Sequence, residues 1–552
     1  MLSAILGAVL AGGPADTVFL NGRVFVRPGR VEAALAVSGD YVLAVGANAE
    51  IQALAGPKTR VIDLKGRLIT PGFNDAHVHF MEGGFGLLSV DLRDAKDEAE
   101  FAGRIARHAT TLPRGAWIMN GNWDHEGWKS QRLPTKALID AVTPSNPVFV
   151  NRLDGHMSLA NSLALKAAGI DRHTKDPFGG TIVRDAAGEP TGILKDNARD
   201  LVFGVVPAPS SELNVRAAKA AIAHAASLGV TSVQDNSSID ALPTYQQIRA
   251  EGGLLIRIYA WRPVSAMQAL VDAGVRTGLG DDWIRVGAIK IVSDGAMGSG
   301  TGAFFDPYPG EPENRGLLLY SVDQLNKMID DADAAGFQLA VHAIGDRANA
   351  LVLDAFEKAS AQRRRDDRRF RIEHAQVVRR EDLPRFAKMR VIASIQPSHC
   401  IDDMRWAEKR IGPERIHLAY NFKSFLDAGI QVAFGTDWYV EPLDPRIGLY
   451  AAVTRELVGG GPPGGFLPDE RISIEQAIDL YTRGSAYAEF AESRKGTLEP
   501  GMFADLAIFA ADLLTIEPRK ILTTPVDLTM VGGRVVFERI PAQDTMNPKG
   551  LQ

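Results

Sequence analysis

Four histidines and one aspartate stand at the ends of short apolar runs. The first run closes as Thr70-Pro-Gly-Phe-Asn-Asp-Ala-His77-Val78-His79. Alternate residues of a strand face the same side, so positions 77 and 79 would present two imidazoles together. Leu339-Ala-Val-His342, Arg371-Ile-Glu-His374 and Val432-Ala-Phe-Gly-Thr-Asp437 end three more runs. Imidazole with carboxylate is the ligand set of Zn²⁺ and related divalent ions. A lone His-x-His carries little weight, but five metal-capable side chains in equivalent places are hard to obtain from core packing. Lys290 lies inside the apolar run Val286-Gly-Ala-Ile-Lys290-Ile-Val. Two readings stay open for it: a snorkelling or salt-bridged lysine, or one that loses its charge and takes up CO₂ as a carbamate able to bridge two ions.

The elements that must position these groups form a rhythm. Apolar strand patterns occur at residues 68–74, 229–235, 254–259, 284–292, 338–342, 370–374, 391–396 and 431–437, most of them separated by helical patterns such as 321–335 and 347–359. Alternation of this kind predicts a parallel sheet, and eight units predict a closed (β/α)₈ TIM-like barrel. In such a barrel the C-terminal strand ends form the active-site mouth, which is where the metal-capable residues fall. Residues 83–195 break the rhythm and read as a long insertion after the first barrel strand. Both ends of the chain read as β structure, with hairpin signals at Asn21-Gly22 and Gly532-Gly533. Neither end has enough strands to bury a face alone. The expected organisation is a composite β-sandwich domain from residues 1–67 and 490–552 around the barrel over 68–489, with an inserted subdomain at about 83–195.

Composition narrows the function classes. The 552 residues carry 61 Lys and Arg against 67 Asp and Glu, a net charge of −6, which provides no general field for nucleic acid. One cysteine, Cys400, excludes an intramolecular disulfide framework and any site built on two or four thiolates. No stretch reaches the ~20 apolar residues of a membrane span. The apolar run at residues 2–12 lacks the basic flank of a signal peptide. The compartment therefore stays open between cytoplasm and, if that run is a signal remnant, periplasm or outside.

The motifs together resemble the amidohydrolase superfamily of metal-dependent hydrolases. Within it the chain is most similar to the branch containing N-substituted formamide deformylase and exoenzyme-regulator-like hydrolases. The resemblance rests on Pro71-Gly-Phe-Asn-Asp-Ala-His77-Val-His79, Lys290-Ile-Val-Ser-Asp-Gly, His342-Ala-Ile-Gly-Asp, Ile372-Glu-His374-Ala, Gln396-Pro-Ser-His399 and Ala433-Phe-Gly-Thr-Asp437. Asn122-Trp-Asp124 and Asp154-Gly-His156 add to it from the insertion. It implies that His77, His79 and Asp437 hold a more buried divalent metal, Zn²⁺ first among the choices, and that His342 and His374 hold a second. Lys290 bridges the two ions if carboxylated, so one or two ions per chain are expected. A bound divalent ion acidifies water toward a pKa of about 7 and polarises a carbonyl. Asp437 is the expected catalytic group, orienting the water, taking its proton and delivering it to the leaving nitrogen. His156, Trp123, Asp124, His399, Met404 and Trp406 are the expected substrate contacts. His108, His125, His173, His224 and His417 read as surface or structural. The leading function is hydrolysis of a non-peptide C–N bond in a small-molecule amide, N-acyl amine or cyclic amide. A deaminase or an ester or lactone hydrolase is the alternative on the same site, and a catalytically silent scaffold is the reading of another class. A homo-oligomer is compatible with all of these.

Overall fold

The structure is a computed structural model that describes residues 13–237 and 241–540. The run at 2–12 therefore lies outside the described residues. Among them, no helix is long and apolar enough to cross a membrane.

Eight parallel strands form the central sheet in sequence order: β1 Phe73–Val78, β2 Val230–Asp235, β3 Arg257–Pro263, β4 Ile284–Val292, β5 Leu339–Ala343, β6 Arg371–His374, β7 Ile392–Ile395 and β8 Val432–Phe434. The register places Lys290 beside Ala340, His342 beside Glu373 and Ala343 beside His374, so the metal-capable residues share one end of the sheet. The ring is drawn shut at that end by the segment after β8. Asp437 N donates to the His77 carbonyl at 2.7 Å, and His79 N donates to the Trp438 carbonyl at 2.5 Å. The Asp75 carboxylate accepts from Thr436 N at 2.9 Å, from Thr436 Oγ1 at 2.6 Å and from His77 N at 3.1 Å. Burial pushes Asp75 up to about 7, opposed by these hydrogen bonds.

One expectation is corrected here. Residues 68–74, read as the first barrel strand, divide at Gly72. Leu68–Pro71 belongs to another sheet and only Phe73–Val78 enters the barrel. Both halves are apolar, so periodicity did not separate them. Gly72 stands where the chain crosses closely over β2: a Cβ there would lie 2.2 Å from Thr231.

The sheet that takes Leu68–Pro71 has six strands and draws on both ends of the chain. Its order is Arg534–Glu538, Val526–Val531, Leu506–Phe509, Leu68–Pro71, Arg23–Arg27 and Arg30–Glu32. A four-stranded sheet, Tyr41–Gly46, Ala34–Ser38, Ala15–Leu20 and Ala55–Asp63, packs with it through Phe19, Val24, Leu35, Ile69, Ile508 and Met530. A buried bidentate ion pair, Arg257 to Asp505 at 2.7 and 3.0 Å, ties β3 to this unit. The insertion carries its own five-stranded sheet, Gly180–Arg184, Pro190–Asp196, Met157–Ala160, Val148–Arg152 and Ile118–Trp123, with Phe101, Trp123 and Trp128 in its core.

Candidate metal centre

Four strand ends, with Lys290 from within β4, deliver side chains to one cluster. His77, His374 and Asp437 bring ligand atoms within 4.8 Å of one another. Asp437 Oδ1 lies 3.3 Å from His79 Nε2 and 3.5 Å from His77 Nε2. Lys290 Nζ is 3.2 Å from His77 Nε2. The His342 ring centroid is 4.6 Å from that of His374. All six residues expected at the metal are thus gathered in one place.

Hydrogen bonds on the far side of the rings set which nitrogen is free. His77 Nδ1 meets Glu373 Oε2 at 2.7 Å, which leaves Nε2 with its lone pair toward Asp437 and Lys290. His374 Nδ1 donating to Gln396 Oε1 at 2.8 Å likewise frees Nε2. His342 Nε2 donating to the Gly295 carbonyl at 3.1 Å frees Nδ1 instead. Burial, and then neighbouring positive groups, hold His77, His342 and His374 well below the usual histidine range, so all three are neutral near pH 7. Neutral imidazole is the form that binds a metal. Burial also lowers the Lys290 ammonium to about 8, against the opposing pull of Glu373 and Asp437.

These residues fit a divalent ion. Asp437 Oδ1 and His399 Nε2 are buried without a hydrogen-bond partner, although such groups are normally satisfied. Two cluster residues also hold left-handed backbone, His374 at φ 71° and Asp437 at φ 59°. Strain of this kind in non-glycine residues gathers at functional sites. His77, His79, Lys290, His342, His374 and Asp437 are the groups that would hold one or two ions.

A cavity of about 330 Å³ opens over His79, Lys290, His342, His374 and Asp437. His156, His399 and Trp406 stand in its wall as expected substrate contacts. His156 Nδ1 pairs with Asp196 Oδ1 at 2.7 Å, and its ring lies 5.1 Å from that of His342. Burial works against a charged His156, but the Asp196 hydrogen bond and the charges of Asp196 and Asp154 outweigh it and raise the ring.

The remaining three expected contacts stand elsewhere. Trp123 is fully buried in the insertion core, its indole Nε1 donating to the Val150 carbonyl at 2.9 Å. Asp124 receives Arg152 Nη2 at 3.1 Å behind the cavity wall. Met404 packs beside Ile401 and Tyr450 and faces an outer groove. Of the histidines set aside, His125 is buried with its ring 5.9 Å from Trp123, and His224 lies 5.5 Å from the Trp438 ring. Cys400 is buried, which pushes its thiol up to about 11 and keeps it protonated.

Sequence reasoning missed the groups that hold the metal-capable rings. Glu373 is gripped by Arg371 Nε at 2.7 Å, and Arg371 Nη2 also reaches the Ala76 carbonyl and Ser394 Oγ, each at 2.8 Å. Their signal was present: Arg371 and Glu373 are alternate, hence same-facing, charged residues in a strand otherwise read as apolar.

Residues 60–537 match the sequence signature described as the amidohydrolase family. The chain belongs to the amidohydrolase family. It is 34% identical to the protein LONG AFTER FAR-RED 3 of Arabidopsis thaliana, a match spanning 96% of this chain and 92% of that protein. It is 29% identical to an N-substituted formamide deformylase of Arthrobacter pascens, over 95% of this chain and 98% of the relative. The crystal structure of an uncharacterized metal-dependent hydrolase from Pyrococcus horikoshii OT3 superposes with a TM-score of 0.75 at 29% identity, covering 91% of this chain and 99% of that one. Family, fold and cluster agree on a metal-dependent hydrolase built on a barrel.

Proposed function

We propose that this amidohydrolase cleaves a non-peptide C–N bond in a small amide, N-acyl amine or cyclic amide. The observation that carries the metal-assisted hydrolysis in this reading is Asp437 Oδ1, a buried acceptor without a hydrogen-bond partner, 3.3 and 3.5 Å from two imidazole nitrogens beneath a cavity. Zn²⁺ is the ion proposed for His77, His79, His342, His374 and Asp437, with Lys290 carboxylated as the bridging ligand. A burial-lowered ammonium favours the neutral amine that takes up CO₂. When bound, such an ion makes water acidic enough to attack near pH 7 and polarises the carbonyl. Asp437 holds that water, accepts its proton on Oδ1 and returns it to the leaving nitrogen. Glu373 fixes His77, and Gln396 fixes His374, so the ligand rings need not reorganise. His156 contacts the substrate from the insertion side of the cavity. The similarity to an N-substituted formamide deformylase supports C–N cleavage over attack on esters or deamination.

The test is a screen of acylated amines, lactams, esters and aminopurines against metal-loaded protein, with acyl and amine products followed by mass spectrometry. Turnover confined to esters or aminopurines would overturn the C–N assignment. For the bridge, protein prepared with bicarbonate and excess Zn²⁺ is expected to hold two ions per chain, and Lys290→Ala to lose at least one. A ratio near one in both proteins would remove the carbamate.

A further inference from the structure

The charged groups on the cavity wall are nearly all answered by a partner. Asp154 takes Arg152 Nη1 at 2.6 Å, and Asp196 takes His156 Nδ1 at 2.7 Å. Asp403 accepts from the Tyr420 hydroxyl at 2.8 Å, and Glu441 from Arg93 Nη2 at 2.6 Å. Arg152 is itself clamped between Asp154 and Asp124. Lys290 and Asp437 belong to the metal centre. Arg199 and the exposed Asp200 beside it are the exceptions.

Arg199 closes the short helical turn Asn197–Arg199 that follows the insertion strand Pro190–Asp196, and its side chain lines the cavity. Nε donates to Ser158 Oγ at 3.0 Å, and Nη1 donates to the Gly155 carbonyl. The guanidinium carbon sits 5.1 Å from the centre of the Phe203 ring. Three contacts thus hold the planar group in one orientation. Among the described residues, Nη2 has no hydrogen-bond partner and no carboxylate lies within ion-pair distance of the group; Asp200, next in the chain and exposed, lines the same cavity and meets the guanidinium only through space. A guanidinium fixed on two edges and open on the third has already lost the side-chain freedom that binding would otherwise cost.

We infer that Arg199 is the receptor for a carboxylate carried by the substrate, so that the preferred substrates are N-acyl amines bearing a carboxylate, such as N-acyl amino acids. The inference rests on the reading of this cavity as the seat of C–N hydrolysis and narrows it. A monoanion suits the surroundings better than a phosphate dianion. Asp200 shares the wall without an ion pair, and its repulsion doubles with the charge of the guest. One open nitrogen matches a single carboxylate oxygen, and a charge-assisted bond of that kind orients the amide as well as binding it.

The experiment compares N-acetyl-phenylalanine, N-acetyl-leucine and N-acetyl-alanine, in both hands, with the same compounds lacking the carboxylate. The protein is the full chain loaded with Zn²⁺, as wild type, Arg199→Gln and Arg199→Lys. The wild type is expected to favour the carboxylated member of at least one pair, with a KM lower on the order of 10- to 100-fold. Arg199→Gln is expected to erase that preference while leaving turnover of the uncharged member within a few-fold, and Arg199→Lys to retain part of it. Uncharged compounds cleaved as well as their carboxylated partners, or a preference that survives Arg199→Gln, would overturn the inference and leave C–N hydrolysis standing. If Arg199 only braced the loop that carries His156, the glutamine variant would lose kcat on both members equally, which also overturns it. If no compound is cleaved, the wider screen of amides and lactams decides C–N hydrolysis, and calorimetric binding of N-acetyl-phenylalanine against N-acetyl-phenethylamine decides the carboxylate site. Equal affinity in wild type and Arg199→Gln then removes it.

Discussion

The interior of the barrel and the interior between the two terminal sheets are both walled by β-strands, yet they are filled with opposite chemistry. Between the terminal sheets lie Phe19, Val24, Leu35, Ile69, Ile508 and Met530, in the alternation that lets a strand bury one face. Inside the barrel, below the metal-capable cluster, lie Arg371, Glu373, Gln234 and Ser394, all fully buried, with Trp261 beside them. Arg371 touches every one of them: it bonds Glu373, Gln234 and Ser394, and its guanidinium carbon is 4.6 Å from the Trp261 ring centre. A barrel interior is ordinarily filled by branched aliphatic side chains. The difference shows where this molecule spends stability for chemistry. An apolar filling would hold the strands together as well, but it could not grip a ligand imidazole by its second nitrogen.

The contrast can be broken most severely at the mouth. Replacing both His77 and His79 with Ala is expected to cost activity on the order of 10³-fold or more and to strip the bound metal, while circular dichroism shows the barrel still folded. Full activity in that variant would end the metal assignment. One layer deeper, Arg371→Met leaves Glu373 buried without its partner and is expected to cost about 3–5 kcal/mol in urea unfolding. Combining it with Glu373→Leu should recover most of that loss, since no charge is then stranded, but not the metal affinity. A single variant costing less than about 1 kcal/mol would mean that the polar filling is not coupled as described.

The insertion offers a pH-dependent version of the same comparison. His125 is buried, and burial, aided by the Arg152 charge, lowers it to about 3. The unfolded chain takes up a proton near 6.5 while the folded one refuses it until about 3, so this residue makes stability fall as pH drops from 6.5 toward 3. Urea midpoints of wild type and His125→Gln, measured between pH 7 and 4, should diverge on acidification by on the order of 1 kcal/mol per pH unit, with the wild type losing more. Parallel curves would show that the ring is not held neutral. The smallest effect belongs to the terminal sheets, where Ile508→Val should cost about 0.5–1.5 kcal/mol and leave kcat/KM and metal content unchanged. A kinetic change there would mean that the two interiors communicate.

What the sequence disclosed follows the same division. The metal-capable residues at strand ends were legible because an apolar run closed by His or Asp is locally visible, and because eight apolar runs imply a barrel with a defined mouth. The boundary at Gly72 was not, since Leu68–Pro71 and Phe73–Val78 are equally apolar and the change of sheet is a tertiary event. Trp123 and Asp124 were expected in the pocket wall because they stand in the Asn122-Trp-Asp124 motif that carries the resemblance. The partners that claim them, the Val150 carbonyl and Arg152, are 27 and 28 residues away. The positioning pair Arg371 and Glu373 was visible as residue types but not as a function, because its meaning depends on His77, about 300 residues earlier and brought alongside only by barrel closure.

Strand Leu68–Pro71 lies between Arg23–Arg27 on one edge and Leu506–Phe509 on the other. During synthesis its first partner is already made, while the second is still some 435 residues from the peptidyl-transferase centre. At roughly 5–20 residues per second, that edge stays unpaired for on the order of 20–90 s. Throughout that interval the nascent chain exposes an apolar strand that any other β-segment can adopt. A ribosome stalled before residue 506 therefore holds a chain in which that edge lacks its native partner.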